Sequence, residues 1–171
     1  NAADFSRALE HSALALDLAF AGSPVALDAE ILHGHALAIG GRVDEGVRRL
    51  QYAAEAAAAN GLTDKEAAAW AGLAYALHAG ARIGAAVQAQ QRAAALSRQR
   101  NNRSELAHAV ANLASVAHSA GDAALAVAQA VEAEALFQAI GAAGVHTTWN
   151  TVTVARNAPA TGRFDLAMQA L

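Results

Sequence analysis

Gly40-Gly41-Arg42-Val43, Gly80-Ala81-Arg82-Ile83 and Ala120-Gly121-Asp122-Ala123 are one phrase written three times, each copy 40 residues after the last. Thr161-Gly162-Arg163-Phe164 repeats it one residue late, and Ala3-Asp4-Phe5-Ser6-Arg7-Ala8 reads as one more such corner entering a helix. The residues between corners keep the same beat: His78 and His118, Leu73 and Leu113, Arg42 and Arg82, and Val47, Val87 and Val127. A fixed period of this length means one supersecondary unit stacked several times.

The composition agrees with a helical unit. Nearly a third of the 171 residues are alanine, the best helix former. Charged residues make up 16%, and the mean hydropathy is only +0.21 because most of the apolar content is single methyl groups. Polar residues interrupt every apolar run well before membrane length, so no transmembrane span is expected and no secretory signal is visible. The absence of cysteine excludes disulfides, thiolate metal sites and cysteine nucleophiles. A net charge of -3 gives no global attraction to nucleic acid. Asn1-Ala2 lacks an initiator methionine and reads as a tag scar. The chain ends in mid-helix at Met168-Gln169-Ala170-Leu171, so a piece of a longer protein is expected.

Each unit has room for two helices between corners. Thr63-Asp64-Lys65-Glu66 reads as a capping box opening the first, in which Trp70, Leu73, Ala74 and Leu77 share one face. Gly80 stops that helix, and the second carries Ile83, Ala86, Val87, Ala93 and Ala94 on its inner side until Asn101-Asn102. Ser104-Glu105 opens the next unit, and Ser23-Pro24 opens the one before, with proline suited to a first helical turn. The pattern predicts helices over about 4–20, 25–39, 43–59, 64–79, 83–99, 104–119, 123–139, 146–157 and 164–171.

Small residues recur at one place in each first helix (Gly34, Ala74, Ala114, Ala155) and in each second helix (Gly46, Ala86, Ala126, Ala167). They let paired helices approach closely, where larger side chains would overpack by roughly 1–3 kcal/mol. This pairing resembles the tetratricopeptide repeat (TPR). Asn112-Leu113-Ala114, Gly121-Asp122 and Ala126 are similar to that family's Asn-Leu-Gly, Gly-Asp and Ala positions. The chain departs from the family in its longer unit and in alanine standing for signature aromatics. The longer unit, with Ala135-Leu136-Phe137-Gln138-Ala139-Ile140-Gly141, resembles the sensor solenoids of LuxR-type and related bacterial transcription activators.

The fold implied is all-α, a right-handed solenoid of stacked antiparallel helix hairpins. It forms one TPR-like domain over residues 3–171, with units of about 3–22, 23–62, 63–102, 103–143 and 144–171. The last unit conflicts with propensity. Thr147-Thr148-Trp149-Asn150-Thr151-Val152-Thr153-Val154 favours a strand and costs a helix roughly 4 kcal/mol relative to alanine. Repeat phase still places a helix there, because packing against the preceding unit can outweigh propensity, and Pro159 should end or kink it.

No catalytic signature emerges. His33 and His35 point about 200° apart on a helix and do not share a metal. His78 and His118 occupy equivalent places in adjacent repeats, but no third ligand accompanies them. The glycines sit at hairpin corners rather than in phosphate-binding loops. Arg92, Arg98, Arg100 and Arg103 form a local basic run without the interleaved aromatics of a base-stacking surface, and read as helix-end groups. No cofactor, metal or enzymatic activity is expected.

The concave side of the solenoid is the better candidate. The resemblance implies that first helices line it, and repeat phase then gives three rows along it: His35, Tyr75, Ser115 and Arg156; Asp28, Ala68, His108 and Trp149; and Leu32, Gly72, Asn112 and Thr153. His78 and His118 lie at the edge. In TPR domains the residue matching Asn112 commonly holds a ligand's backbone, while the family's basic carboxylate clamp is represented here only by Arg156. The function implied is a non-enzymatic ligand- or protein-binding module, the sensor or scaffold part of a bacterial transcriptional regulator. The alternative is a free-standing TPR scaffold or co-chaperone-like adaptor for peptide segments. Expected partners are a protein or peptide in the groove, a small-molecule effector, and other copies through the apolar ends. Membrane and direct nucleic-acid contacts are not expected, and the expected location is cytoplasmic.

Overall fold

The computed structural model describes residues 2–20, 23–142 and 145–169; residues 2–5, 145–148 and 169 are described by backbone alone. The described residues form α1 (Ala2–Leu18), α2 (Pro24–Ile39), α3 (Val43–Ala59), α4 (Thr63–Ala79), α5 (Ile83–Gln99), α6 (Arg103–Ser119), α7 (Ala123–Ala139) and α8 (Val145–Asn157). A 3-10 turn (Ala158–Thr161) and α9 (Phe164–Gln169) follow. Every predicted helix is present, with bounds within two residues for all but the last few positions, which lie outside the described residues. The threonine-rich stretch is helical throughout α8, and Pro159 marks its change into the 3-10 turn.

The connectors show a shorter beat than the sequence does. From α3 to α7 every helix has 17 residues. Three-residue connectors join them, within hairpins and between hairpins alike. The middle residue is left-handed each time, Gly61 (φ 68), Ala81 (φ 57), Asn101 (φ 54) and Gly121 (φ 75); Gly41 (φ 85) is the same in the connector before α3, and Gly141 (φ 70) is left-handed just after α7. Around Gly41, its N–H bonds to Ala38 O at 3.2 Å and the Arg42 N–H to Leu37 O at 2.9 Å, the two bonds of a Schellman motif. The same pair recurs at Gly61-Leu62, Ala81-Arg82, Gly121-Asp122, Gly141-Ala142 and Gly162-Arg163. The backbone therefore repeats every half unit. The side chains repeat only every full unit, because successive helices play different roles.

This geometry corrects the capping-box reading of Thr63. Leu62 is the N-cap and makes no side-chain cap bond, so Thr63 already lies inside α4. The connector uses the Leu62 N–H to close α3, on Ala57 O at 2.9 Å, and leaves no extra residue for a hydroxyl cap. Glu66 turns inward instead, accepting from Trp70 Nε1 at 3.3 Å and Arg92 at 3.0 Å. Ser23, Asn102 and Asp122 are the side-chain caps, accepting from Ala26, Glu105 and Leu125 amides.

The chain divides into two compact units, residues 1–96 and 97–171. In the first, α2 and α3 form a hairpin, α4 packs on both, and α1 packs on α2. Its core is built on Leu27, Leu37, Leu50 and Leu73 among buried alanines. In the second, α6 and α7 form the hairpin, α8 packs on both, and α9 packs on α8. Val127, Ala130, Val154 and Ala158 lie there under Leu166 and Ala167.

The small residues sit at the closest approach. A Cβ on Gly46 would stand 2.5 Å from the Gly34 carbonyl oxygen, and one on Gly34 would stand 2.8 Å from Leu50 Cγ. Leu50 also covers Gly72, where a Cβ would meet Leu50 Cδ2 at 2.8 Å. The substitution Gly46→Ala should therefore cost about 1–3 kcal/mol in urea unfolding, because the neighbour that must move is backbone. Ala81→Gly should act oppositely, by about 1 kcal/mol, since alanine pays for its left-handed φ and glycine does not.

Candidate functional site

The first helix of each hairpin turns one stripe outward. On α2 it comprises Val25, Asp28, Leu32 and the half-buried His35; on α4 it includes Ala68 and Tyr75. These two stripes are neighbours, because α4 packs along α2. Tyr75, 44% exposed, meets the His35 ring edge-on with centroids 4.8 Å apart. Burial against this contact lowers the His35 pKa below the ordinary histidine value. One helical turn and more toward the start of α2, Lys65 Nζ lies 2.7 Å from the Asp28 carboxylate. That hydrogen bond raises the Lys65 pKa. The unit 1 patch thus combines an ion pair, an imidazole and a phenol, with exposed Leu32 on α2. His78 is half-buried in the last turn of α4.

In unit 2 the corresponding stripe of α6 carries exposed His108 and Asn112 and half-buried Ser115; that of α8 carries exposed Trp149, Val152 and Arg156. His108 packs edge-on against buried Phe137, with centroids 5.2 Å apart. His118 donates from Nδ1 to Asn157 Oδ1 at 3.1 Å, and Asn157 Nδ2 donates to the Thr153 carbonyl at 2.7 Å. The ties from His118 to Asn157 and from His108 to Phe137 link α6 to its neighbours α8 and α7. Two members of the third row are not outward: Gly72 lies beneath Leu50, and Thr153 is buried, donating to Trp149 O at 3.0 Å. The rows step by 40 residues between the earlier units and by 41 into the last, and a shift of one residue turns a helical side chain by about 100°. Val152, 40 residues after Asn112, takes the outward place that the 41-residue step had given to Thr153.

His33 faces away from His35, toward α1. Ser12 donates its hydroxyl to Ala8 O at 2.7 Å, so its Oγ accepts from His33 Nδ1–H at 2.8 Å. Burial, then the neighbouring Arg49 charge, lowers the His33 pKa against the opposing pull of Glu30. Arg49 and Glu30 form an ion pair at 2.8 Å. Sequence spacing could not find these partners, because they join α1 to α2 and α2 to α3 outside the repeat phrase. Lys65 was missed for the same reason: no equivalent lysine recurs. Among the described residues no cluster of three or more histidine, aspartate and glutamate side chains could hold a metal ion. In the basic run, Arg92 pairs with Glu66 at 3.0 Å, Arg98 with Glu132 at 2.6 Å, and Arg100 with Glu105. Each of these three arginines thus has a carboxylate partner within the protein. No described helix is long and apolar enough to cross a membrane.

Antiparallel 17-residue helices, joined hairpin to hairpin with small residues at the crossing, make this an all-α, TPR-like helical-repeat fold. No protein-family model matches the sequence, and no curated protein matches it either. Solved structures do. BtubC (BKLC) from P. vanneervenii is 20% identical, with a TM-score of 0.83, over 98% of this chain and 70% of that one. Two structures of the putative kinesin light chain of Podosopora anserina, described as nearly identical TPR-like repeats, match 95% of this chain. They cover 79% and 80% of theirs at 20% and 18% identity, with TM-scores of 0.74 and 0.73. At such identities the likeness is one of fold.

The lowered histidine pKa values have a stability consequence. An unfolded histidine titrates near about 6.5. His33 and His35 bind protons less readily when folded, so their contribution is complete above that pH and is lost as pH falls below it toward the folded values. The urea midpoint should therefore drop between neutral pH and the upper edge of carboxylate titration. His35→Gln should flatten part of that slope, and an unchanged slope would contradict the burial assigned to His35.

Proposed function

We propose that this chain is a non-enzymatic protein-binding scaffold whose outward first-helix stripes recognise an extended peptide segment. The observation that carries the reading is the Asp28, His35, Lys65 and Tyr75 patch. In a chain built largely of alanine, a charge pair and an aromatic pair stand together on one outward face, and such residues dominate recognition energetics. The proposed roles follow from the side chains. Tyr75 and Trp149 offer flat apolar faces, Asn112 a donor and acceptor for a peptide unit, and Arg156 a partner for a carboxylate. Ser115, His78, His108 and His118 supply polar contacts at the edges. The ionisable groups around the patch are engaged in ion pairs and ring contacts, which suits binding better than proton transfer.

Two settings for such a scaffold are supported by different features. The long repeat and the Ala135–Gly141 phrase favour the sensor or scaffold part of a bacterial transcriptional regulator, with a small-molecule effector as a further ligand. The fold shared with a protein described as a putative kinesin light chain favours a free-standing adaptor. A helix-turn-helix or ATPase segment in the same polypeptide would select the first setting, and a full-length product without either would select the second.

A peptide array should yield extended ligands, and fluorescence anisotropy should measure them. Tyr75→Ala and Asn112→Ala should each weaken the best ligand by about tenfold or more. Their far-UV circular dichroism should match the parent, because both side chains are exposed. Unchanged affinity in both variants would remove the stripes from the binding surface.

A further inference from the structure

Unit 2 breaks the alanine rule at one place. The residue equivalent to Asn150 in the preceding first helices is alanine each time, Ala29, Ala69 and Ala109, all buried. The residue equivalent to Glu134 in the preceding second helices is alanine too, Ala54 and Ala94, also buried. In unit 1 the corresponding pair, Ala54 and Ala69, packs together in one core cluster. At the α7–α8 contact the chain therefore replaces two packed methyl groups with a carboxylate and a carboxamide.

These polar groups are not paid off internally. Asn150 is 1% exposed, and neither its Oδ1 nor its Nδ2 has a hydrogen-bond partner. Glu134 uses Oε1 to accept from Gln138 Nε2 at 2.9 Å, while its buried Oε2 has no partner. Both residues line a cleft of about 230 Å³ walled by Val131, Val154 and Leu166. Buried polar groups are otherwise paired almost without exception, and an orphan raises the free energy of the folded state. Three orphans on one cleft point to a group that arrives from outside.

Counting the orphans defines that group. Asn150 Oδ1 and Glu134 Oε2 each need a donor, and Asn150 Nδ2 needs an acceptor. An ammonium or guanidinium satisfies the acceptors and leaves Nδ2 bare. A carboxylate satisfies Nδ2 and is repelled by Glu134. A secondary amide brings one N–H too few. A primary carboxamide brings two N–H donors and one carbonyl, and its aliphatic stem suits the apolar walls. The cleft is below the ~300–1,000 Å³ of drug-sized pockets, which restricts the ligand to a small group. We infer that the Asn150–Glu134 cleft is a binding seat for a primary carboxamide on a short aliphatic stem. It is separate from the outward stripes and goes beyond the peptide-binding reading.

Isobutyramide is the probe, with isobutyric acid and isobutylamine as isosteric controls, followed in ¹H–¹⁵N NMR by the backbone amides of the cleft residues Val131 and Val154 in every variant, and by the Asn150 side-chain NH₂ resonances where Asn150 is present. Isobutyramide should give a saturable shift that neither control reproduces. Asn150→Ala and Glu134→Ala restore the residues of the other repeats. Each should weaken isobutyramide by about tenfold or more and raise the urea midpoint of the free protein. Tripeptides Ala-Gln-Ala and Ala-Glu-Ala separate the sources: tighter binding of the glutamine peptide than of isobutyramide assigns the carboxamide to a polypeptide side chain, and the reverse assigns it to a free small molecule. The seat is rejected if acid or amine binds as well as the amide, if no saturable shift develops, or if the alanine variants are less stable than the parent.

Discussion

Six hydrogen-bonded corners set the terms for the rest of the molecule. In each, a left-handed residue lets two amides fold back onto the closing carbonyls of the helical segment before it. From α2 to α7 each connector is only three residues long. A helix of 17 residues and a three-residue connector recur from α3 to α7. Glycine takes most of these corners because it enters the left-handed region without steric cost. Asn101 does so at small cost, and Ala81 carries the strain.

The corners bring helices together, and alanine and glycine decide how near. At Gly34 and Gly46 the backbones approach until a carbonyl occupies the space of a side chain. Such a core buries many small groups and few large ones. Leu27, Leu37, Leu50, Val110 and Phe137 act as wedges between tightly spaced helices. Leu50 alone covers two glycines on two different helices. Because the interior is so uniform, the few polar side chains inside it stand out, and most are accounted for by pairing. Glu66 has Trp70 and Arg92, and Asn157 has His118 and the Thr153 carbonyl.

The proposed binding surface lies where uniformity ends. The outward stripes of the first helices alternate aromatic, charged and amide side chains along a scaffold that is otherwise methyl groups. The His35–Tyr75 contact ties two of those helices into one patch. Arg92, Arg98 and Arg100 pair with Glu66, Glu132 and Glu105. Within the run at residues 92–103, these three arginines thus tie their segments to neighbouring carboxylates.

Much of the fold was legible in the chain because period and helix length are local properties. Repeated corners, capping residues and small residues at fixed spacing gave the helix bounds nearly to the residue, even through the threonine-rich stretch, where neighbouring helices overrule propensity. The outward placement of Asp28, Tyr75, His108, Asn112, Trp149 and Arg156 followed from the same phase. Pairing was not legible, because a hydrogen bond depends on distance in space rather than position in the repeat. Sequence did not disclose that Glu66 would leave the helix start for Arg92, or that His33 would meet Ser12 while His35 met Tyr75. Nor did it disclose that Asn150 and Glu134 would be buried together without partners. The sequence alone determined a helical repeat with two faces. The tertiary structure decided which polar groups on and between those faces have partners and which do not, because only packing brings side chains from different helices within bonding distance.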